Sequence, residues 1–110
     1  MKLAGLPCGM IDWGTIPATT HPGETGTAIA RAHCLGDIQL RLVEYSAGYL
    51  ADHWCDKGHV ILVTSGAMNI EHQDGTRYEL TAGASWHVAD AGAAPHRVIS
   101  ESGATAFIVD

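Results

Sequence analysis

The stretch "ADHWCDKGHVILVTSG" sets two histidines and a cysteine within seven residues, directly before an apolar run. Imidazole nitrogen and thiolate sulfur both ligate zinc and other late first-row metals, so His53, Cys55 and His59 could hold one ion. In an extended segment residues two apart face the same side, which predicts that His53 and Cys55 project together while Trp54 turns into packing. The "DKG" tripeptide supplies a turn or bulge that would bring His59 beside them. Three local ligands need a fourth donor, and His96, which follows Pro95 at the start of a later strand, is the evident candidate. The bland reading stays open at this point. A histidine beside an apolar run is usually structural, and Cys55 can serve as a small buried hydrophobe.

The elements that would position these residues read as short strands. "TAIARAHC" is one, and "DIQLRLVEYS" alternates Ile38, Leu40 and Leu42 against Gln39, Arg41 and Val43. "HVILVTSG" is a continuous apolar run ending at Gly66, fit for a strand buried on both faces. "AMNIEHQDGTRYEL" is a hairpin around an Asp74-Gly75 turn. "TAGASWHVA", "PHRVIS" and "ATAFIVD" complete the set, with turn residues between them. About eight strands and no convincing helix predict an all-β barrel or double-sheet sandwich. Residues 1–26 lack sustained periodicity and read as an N-terminal arm packed on the barrel, with one short strand near Met10–Trp13. Residues 27–110 form the barrel domain.

Composition narrows the function classes. With 110 residues, one hydrophobic core is expected. A formal charge of -6 and six scattered basic residues argue against nucleic acid and against anionic membrane surfaces. No segment approaches the roughly 20 apolar residues of a membrane span. "MKLAGLPCGM" carries one Lys and is broken by Gly and Pro, so no secretory leader is expected. Cys8, Cys34 and Cys55 are odd in number and irregularly spaced, which suits a reducing cytoplasm.

The spacing around the opening stretch resembles the first motif of small metal-binding cupins: Gly, His-x-His, a short gap, Glu, six residues, Gly. Gly48 precedes His53, Cys55 takes the second His position, His59 takes the Glu position and Gly66 closes the frame. A second motif, "GASWHVADAGAAPH", has Gly83 and His96 but lacks the usual Pro-x-Gly. The quartet Asp52-His53-Trp54-Cys55 makes the stretch from about Ile38 to Asp110 similar to the small single-domain DHCW-motif cupin fold proteins. The resemblance implies an all-β, single-domain cupin-type β-barrel (a double-stranded β-helix or jelly roll) and a metal site at His53, Cys55, His59 and His96. It also implies a homodimer through an edge sheet and the arm.

Two of the three first-motif ligands differ from the cupin pattern, and the softer nitrogen-and-sulfur set favours zinc over the iron of oxygen-activating cupins. Nickel, copper or iron are the competing divalent ions. The expected function is a divalent-metal-binding cupin acting on or binding a small molecule in the barrel lumen. The alternative is a non-catalytic module with a structural metal, or a metal-free lumen that binds a ligand. Asp52 would orient His53. His87, Arg41 and Trp54 are further candidates for the lumen or its support, although a surface ion pair is the plainer role for Arg41. His72, beside the Asp74-Gly75 turn, reads as solvated, and His21 as surface.

Overall fold

The computed structural model describes residues 3–110. Residues 1 and 2, at the head of the expected arm and of the stretch read for a leader, lie outside it. Strands follow one another along the chain: β1 (Thr19–Pro22), β2 (Thr27–Leu35), β3 (Ile38–Tyr45), β4 (Tyr49–Leu50), β5 (His59–His72), β6 (Arg77–Thr81), β7 (Ser85–Val88), β8 (His96–Ser100) and β9 (Ala104–Val109). All neighbouring strands pair antiparallel. No α-helix occurs among the described residues.

Two sheets share one strand. The first runs β1-β2-β3-β9-β5-β7 through the front half of β5, and the second runs β6-β5-β8-β4 through its back half. The inner faces meet in a core that includes Val43, Ile61, Val63, Met68, Ile70, Ala106 and Ile108. The expected all-β barrel is therefore present as a half-barrel of two curved sheets.

β5 shows how one strand serves both. Its front half buries His59, Ile61 and Val63, whereas its back half buries Met68, Ile70 and His72. The inward phase changes from odd to even positions because Thr64 is an extra residue: Val63 pairs with Ala106 and Ser65 with Thr105. A bulge of one residue reverses every side chain beyond it. Gly66, at φ +72, completes the bend, and a Cβ there would collide with the carbonyl oxygen of Gly103.

Two expectations are corrected by this strand. The apolar run is not buried on both faces, since Val60 and Leu62 are 51% and 37% exposed on the outer side of the sheet. Nor does the strand stop at Gly66. Glycine serves there as the hinge of a continuous strand rather than as its terminator.

The arm differs in detail too. Met10–Trp13 forms no strand; Trp13–Thr15 is a short 3-10 turn, whose first free N–H groups are met when the Asp12 carboxylate accepts from Gly14 N at 3.1 Å. Trp13 sets its ring edge-on to Phe107 at 6.4 Å, covering part of the outer face of the first sheet. Thr19–Pro22 then pairs with β2 as the exposed edge strand.

A Gly66→Ala change should lower the urea midpoint by the equivalent of roughly 2–4 kcal/mol, from the positive φ and the clash together. Gly75→Ala, at φ +92 with open space around it, should cost only about 1 kcal/mol. Equal losses in the two variants would refute the close approach at the bend.

Candidate metal centre

Cys55 and His96 are held side by side by the backbone. Each N–H donates to the other's carbonyl, at 2.7 Å from Cys55 and 2.8 Å from His96, so the two residues form an isolated antiparallel bridge. Side chains directly opposite in such a pair leave the same face. His96 is in turn opposite His72 across β5 and β8. The inner face of the second sheet thus carries the row Cys55, His96, His72.

His59 enters from the first sheet. It opens β5, is 8% exposed, and lies edge-on to His96 with ring centroids 5.1 Å apart. Its Nε2 is 3.5 Å from Cys55 Sγ. One ligand atom from each of Cys55, His59 and His96 lies within 4.8 Å of the others, a grouping that could hold a metal ion.

The remaining candidates are placed as follows. His53 is not brought to this group. Residues 52 and 53 form a bend rather than a strand, so the two-residue alternation that would have aligned His53 with Cys55 does not operate. Its side chain is 75% exposed at the cavity rim, and its Nδ1 is 2.7 Å from Asp52 Oδ1. The His53 contact holds the Asp52 carboxyl below the usual carboxylate range. Trp54 turns away from the lumen and lies 4.3 Å from Arg97, which reaches Glu71 at 3.1 Å. That contact fixes the segment carrying Cys55 against β8. His87 faces outward, opposite the exposed Val60, because Trp86 takes the inward phase of β7. His21 is exposed, as expected.

Arg41 does point into the lumen, and its partner is a carboxylate of the same chain. Its Nε and Nη2 donate to Asp110 at 3.2 and 3.0 Å, a bidentate pair with side chains 26% and 14% exposed. Asp110 Oδ2 is also 3.5 Å from His59 Nδ1, a buried nitrogen with no hydrogen bond. An Nδ1–H facing that carboxylate would leave the Nε2 lone pair turned toward Cys55, the orientation a metal-binding histidine requires.

Two of these residues escaped the sequence reading. His72 is 4% exposed, not solvated, with Nδ1 2.6 Å from the Ala94 carbonyl and its ring against Tyr78, Trp86 and His96. The alternation Met68, Ile70, His72 was the available signal. Asp110 continues the alternation Ala106, Ile108 and pairs by backbone with Gln39.

Electrostatics favour neutral imidazoles. Burial pushes His96 down to about 4, with His59 and His72 adding to the shift. Burial also lowers His59, opposed by Asp110. A chamber of about 140 Å³ opens above the three residues, walled by Arg41, Tyr45 and Tyr49. Burial raises both tyrosine hydroxyls above their ordinary value, so they remain protonated.

The comparisons with known proteins bear on the fold. No family model and no curated protein matches this chain. Solved structures do. A sugar phosphate isomerase of the cupin superfamily from Silicibacter pomeroyi aligns at TM-score 0.68 and 17% identity, over 92% of this chain and 74% of that one. A cupin-2 domain protein from Shewanella frigidimarina aligns at 0.60 and 19%, over 74% and 78%. Fe(II)-HppE, solved with an alternative substrate, aligns at 0.72 and 12%, over 94% and 60%. At such identities the likeness shows the fold alone: the chain is an all-β cupin half-barrel.

The depressed His96 value sets a pH dependence for the metal-free chain. The unfolded chain takes up a proton near the ordinary 6.5 and the folded one only near 4, so stability is full above about pH 6.5 and falls as pH drops through that window. Urea titrations of chelator-treated protein should show this decline, and His96→Gln should flatten it. An unchanged slope in His96→Gln would refute the assignment.

Proposed function

We propose that this cupin-fold chain binds one divalent metal ion through Cys55, His59 and His96 and presents it to a small molecule in the lumen. The observation that carries the reading is the gathering of one thiol and two buried imidazoles, their ligand atoms within 4.8 Å, on the wall of a chamber. The residues fit a metal on chemical grounds. Both imidazoles are held neutral at pH 7, and a donor set of two nitrogens and one sulfur suits zinc, with nickel and copper as competitors. Three protein ligands beside a chamber match the pattern of zinc sites that keep a position for water or substrate, rather than the closed four-ligand structural kind. A bound ion would supply Lewis acidity to a water or to a ligand oxygen there.

The protein's own residues do the rest. Asp110, held by Arg41, faces His59 Nδ1 and orients its ring. The Cys55–His96 backbone bridge fixes the other two donors. Tyr45 and Tyr49, with ring centroids 4.9 Å apart, narrow the chamber. The finer likeness to the DHCW-motif cupins rests on the Asp52–Cys55 quartet, in which Cys55 would bind and Asp52 would hold His53 at the rim.

Dimerisation is part of the proposal. The unpaired edge of β1 and the exposed Val60, Leu62 and Met10 give a second copy both a strand edge and an apolar face to cover. The two exposed thiols, Cys8 and Cys34, suit a reducing compartment.

Elemental analysis of untagged protein should find about one divalent ion per chain. Cys55→Ser and His96→Ala should each lose most of it, while His53→Ala should retain it. In the cobalt-loaded protein a thiolate charge-transfer band should disappear in Cys55→Ser. Equal metal content in wild type and His96→Ala would end the reading, and loss in His53→Ala would move it to a closed, structural site. Light scattering should report a dimer that Val60→Asp converts to monomer; a monomeric wild type would remove that element.

A further inference from the structure

The chamber wall carries two polar groups that the metal reading leaves unused. Tyr45 and Tyr49 are each only 9% exposed, yet neither hydroxyl makes a hydrogen bond within the described residues, and neither is sealed from the cavity. A hydroxyl that makes no bond within the protein yet opens onto a cavity is free to donate to whatever enters it. Here both rings line the chamber beside the Cys55, His59 and His96 group. Both also line a wider adjoining hollow of about 370 Å³ that opens toward Asp52 and His53. Arg41 lines the two cavities as well. Its Nε and Nη2 are committed to Asp110, while Nη1 makes no hydrogen bond among the described residues.

From this we infer that Tyr45, Tyr49 and Arg41 Nη1 form a carboxylate subsite beside the metal ligands, so that the small molecule is a monocarboxylate. The inference rests on the proposed metal site and names the chemistry of its ligand. Each of these three groups can donate. A tyrosine hydroxyl supplies one hydrogen and the guanidinium its free Nη1 hydrogens, which matches the acceptor-only character of a carboxylate.

Charge points the same way. The Arg41–Asp110 pair is neutral overall and the imidazoles are neutral. A dication held by one thiolate leaves a single positive charge in the chamber. One carboxylate cancels it, whereas a phosphate monoester would bring close to two charges. The one free carboxylate nearby, Asp52, lies out in the wider hollow and is paired with His53.

Size sets a further bound. At about 30 Å³ of liquid volume per water, the inner chamber holds four or five waters. It therefore takes a carboxylate head with a few carbons, and any tail extends into the wider hollow.

Calorimetric titration of the zinc-loaded protein in chloride buffer, with acetate, glycolate and pyruvate against the neutral isosteres acetamide and glycolamide, tests this. The acids should bind at least tenfold more tightly than the amides. Tyr45→Phe and Tyr49→Phe should each weaken acid binding roughly tenfold and leave metal content unchanged. Metal content is measured on each sample, so a wild type that holds no ion overturns the metal reading by itself. In such an ion-free chain, acid binding that the two phenylalanine variants abolish upholds the subsite, and absent binding overturns it. In a metal-loaded chain, equal binding of acetate and acetamide overturns it, as does full affinity in both phenylalanine variants.

Discussion

The reversal of inward phase within β5 is the constraint on which this molecule depends. His59 and His72 bound the strand, and the thirteen residues from one to the other are an odd separation. On an uninterrupted strand they would face opposite sides. The extra residue at Thr64 and the positive φ of Gly66 restore both to the interior, and the same bend allows β5 to leave one sheet and enter the other. The two sheets are joined and the lumen acquires histidines from both of its walls by a single local device. Without it, either Met68 and Ile70 or Ile61 and Val63 would face solvent.

The interior so formed is not the one that stability alone would select. His59, His72 and His96 are buried together with a half-buried Arg41–Asp110 pair, in a chain of only 110 residues. A well-packed apolar replacement for a buried ion pair is often as stable or more so. His59 Nδ1 stays without a hydrogen bond, 3.5 Å from a carboxylate already engaged by arginine. Tyr45 and Tyr49 leave two hydroxyls unbonded in the wall. Several departures from local rules gather around this one chamber, which is how a site differs from a core.

Much of the scaffold was legible in the sequence, because strand alternation and turn chemistry are local. The Asp74-Gly75 hairpin and the strands "TAIARAHC" and "DIQLRLVEYS" follow from neighbours a few residues away. What was not legible depended on a change of phase or on partners far along the chain. Gly66 looked like an end because a turn and a bulge use the same residue. His72 reads as solvated from its closeness to a turn, whereas its alternation with Met68 and Ile70 places it inside. His53 was aligned with Cys55 by a strand rule that the bend at residues 52 and 53 suspends. Asp110 meets Arg41 across 69 positions, a pairing no local pattern announces.

The fold itself leaves the chemistry undecided, since one scaffold hosts unrelated activities and solved neighbours at 12–19% identity carry only its shape. The donors therefore decide. One sulfur and two imidazoles would make a softer set than one of nitrogen and oxygen alone, and His59 stands where the cupin motif that the sequence resembles has a carboxylate. Asp110 stands behind His59, facing the nitrogen that does not point to Cys55, and Arg41 holds it there. A carboxylate acting through an imidazole strengthens it as a donor without occupying a position on the ion. Such an arrangement would orient His59 as a donor and leave the chamber side open, where the rings of Tyr45 and Tyr49 stand.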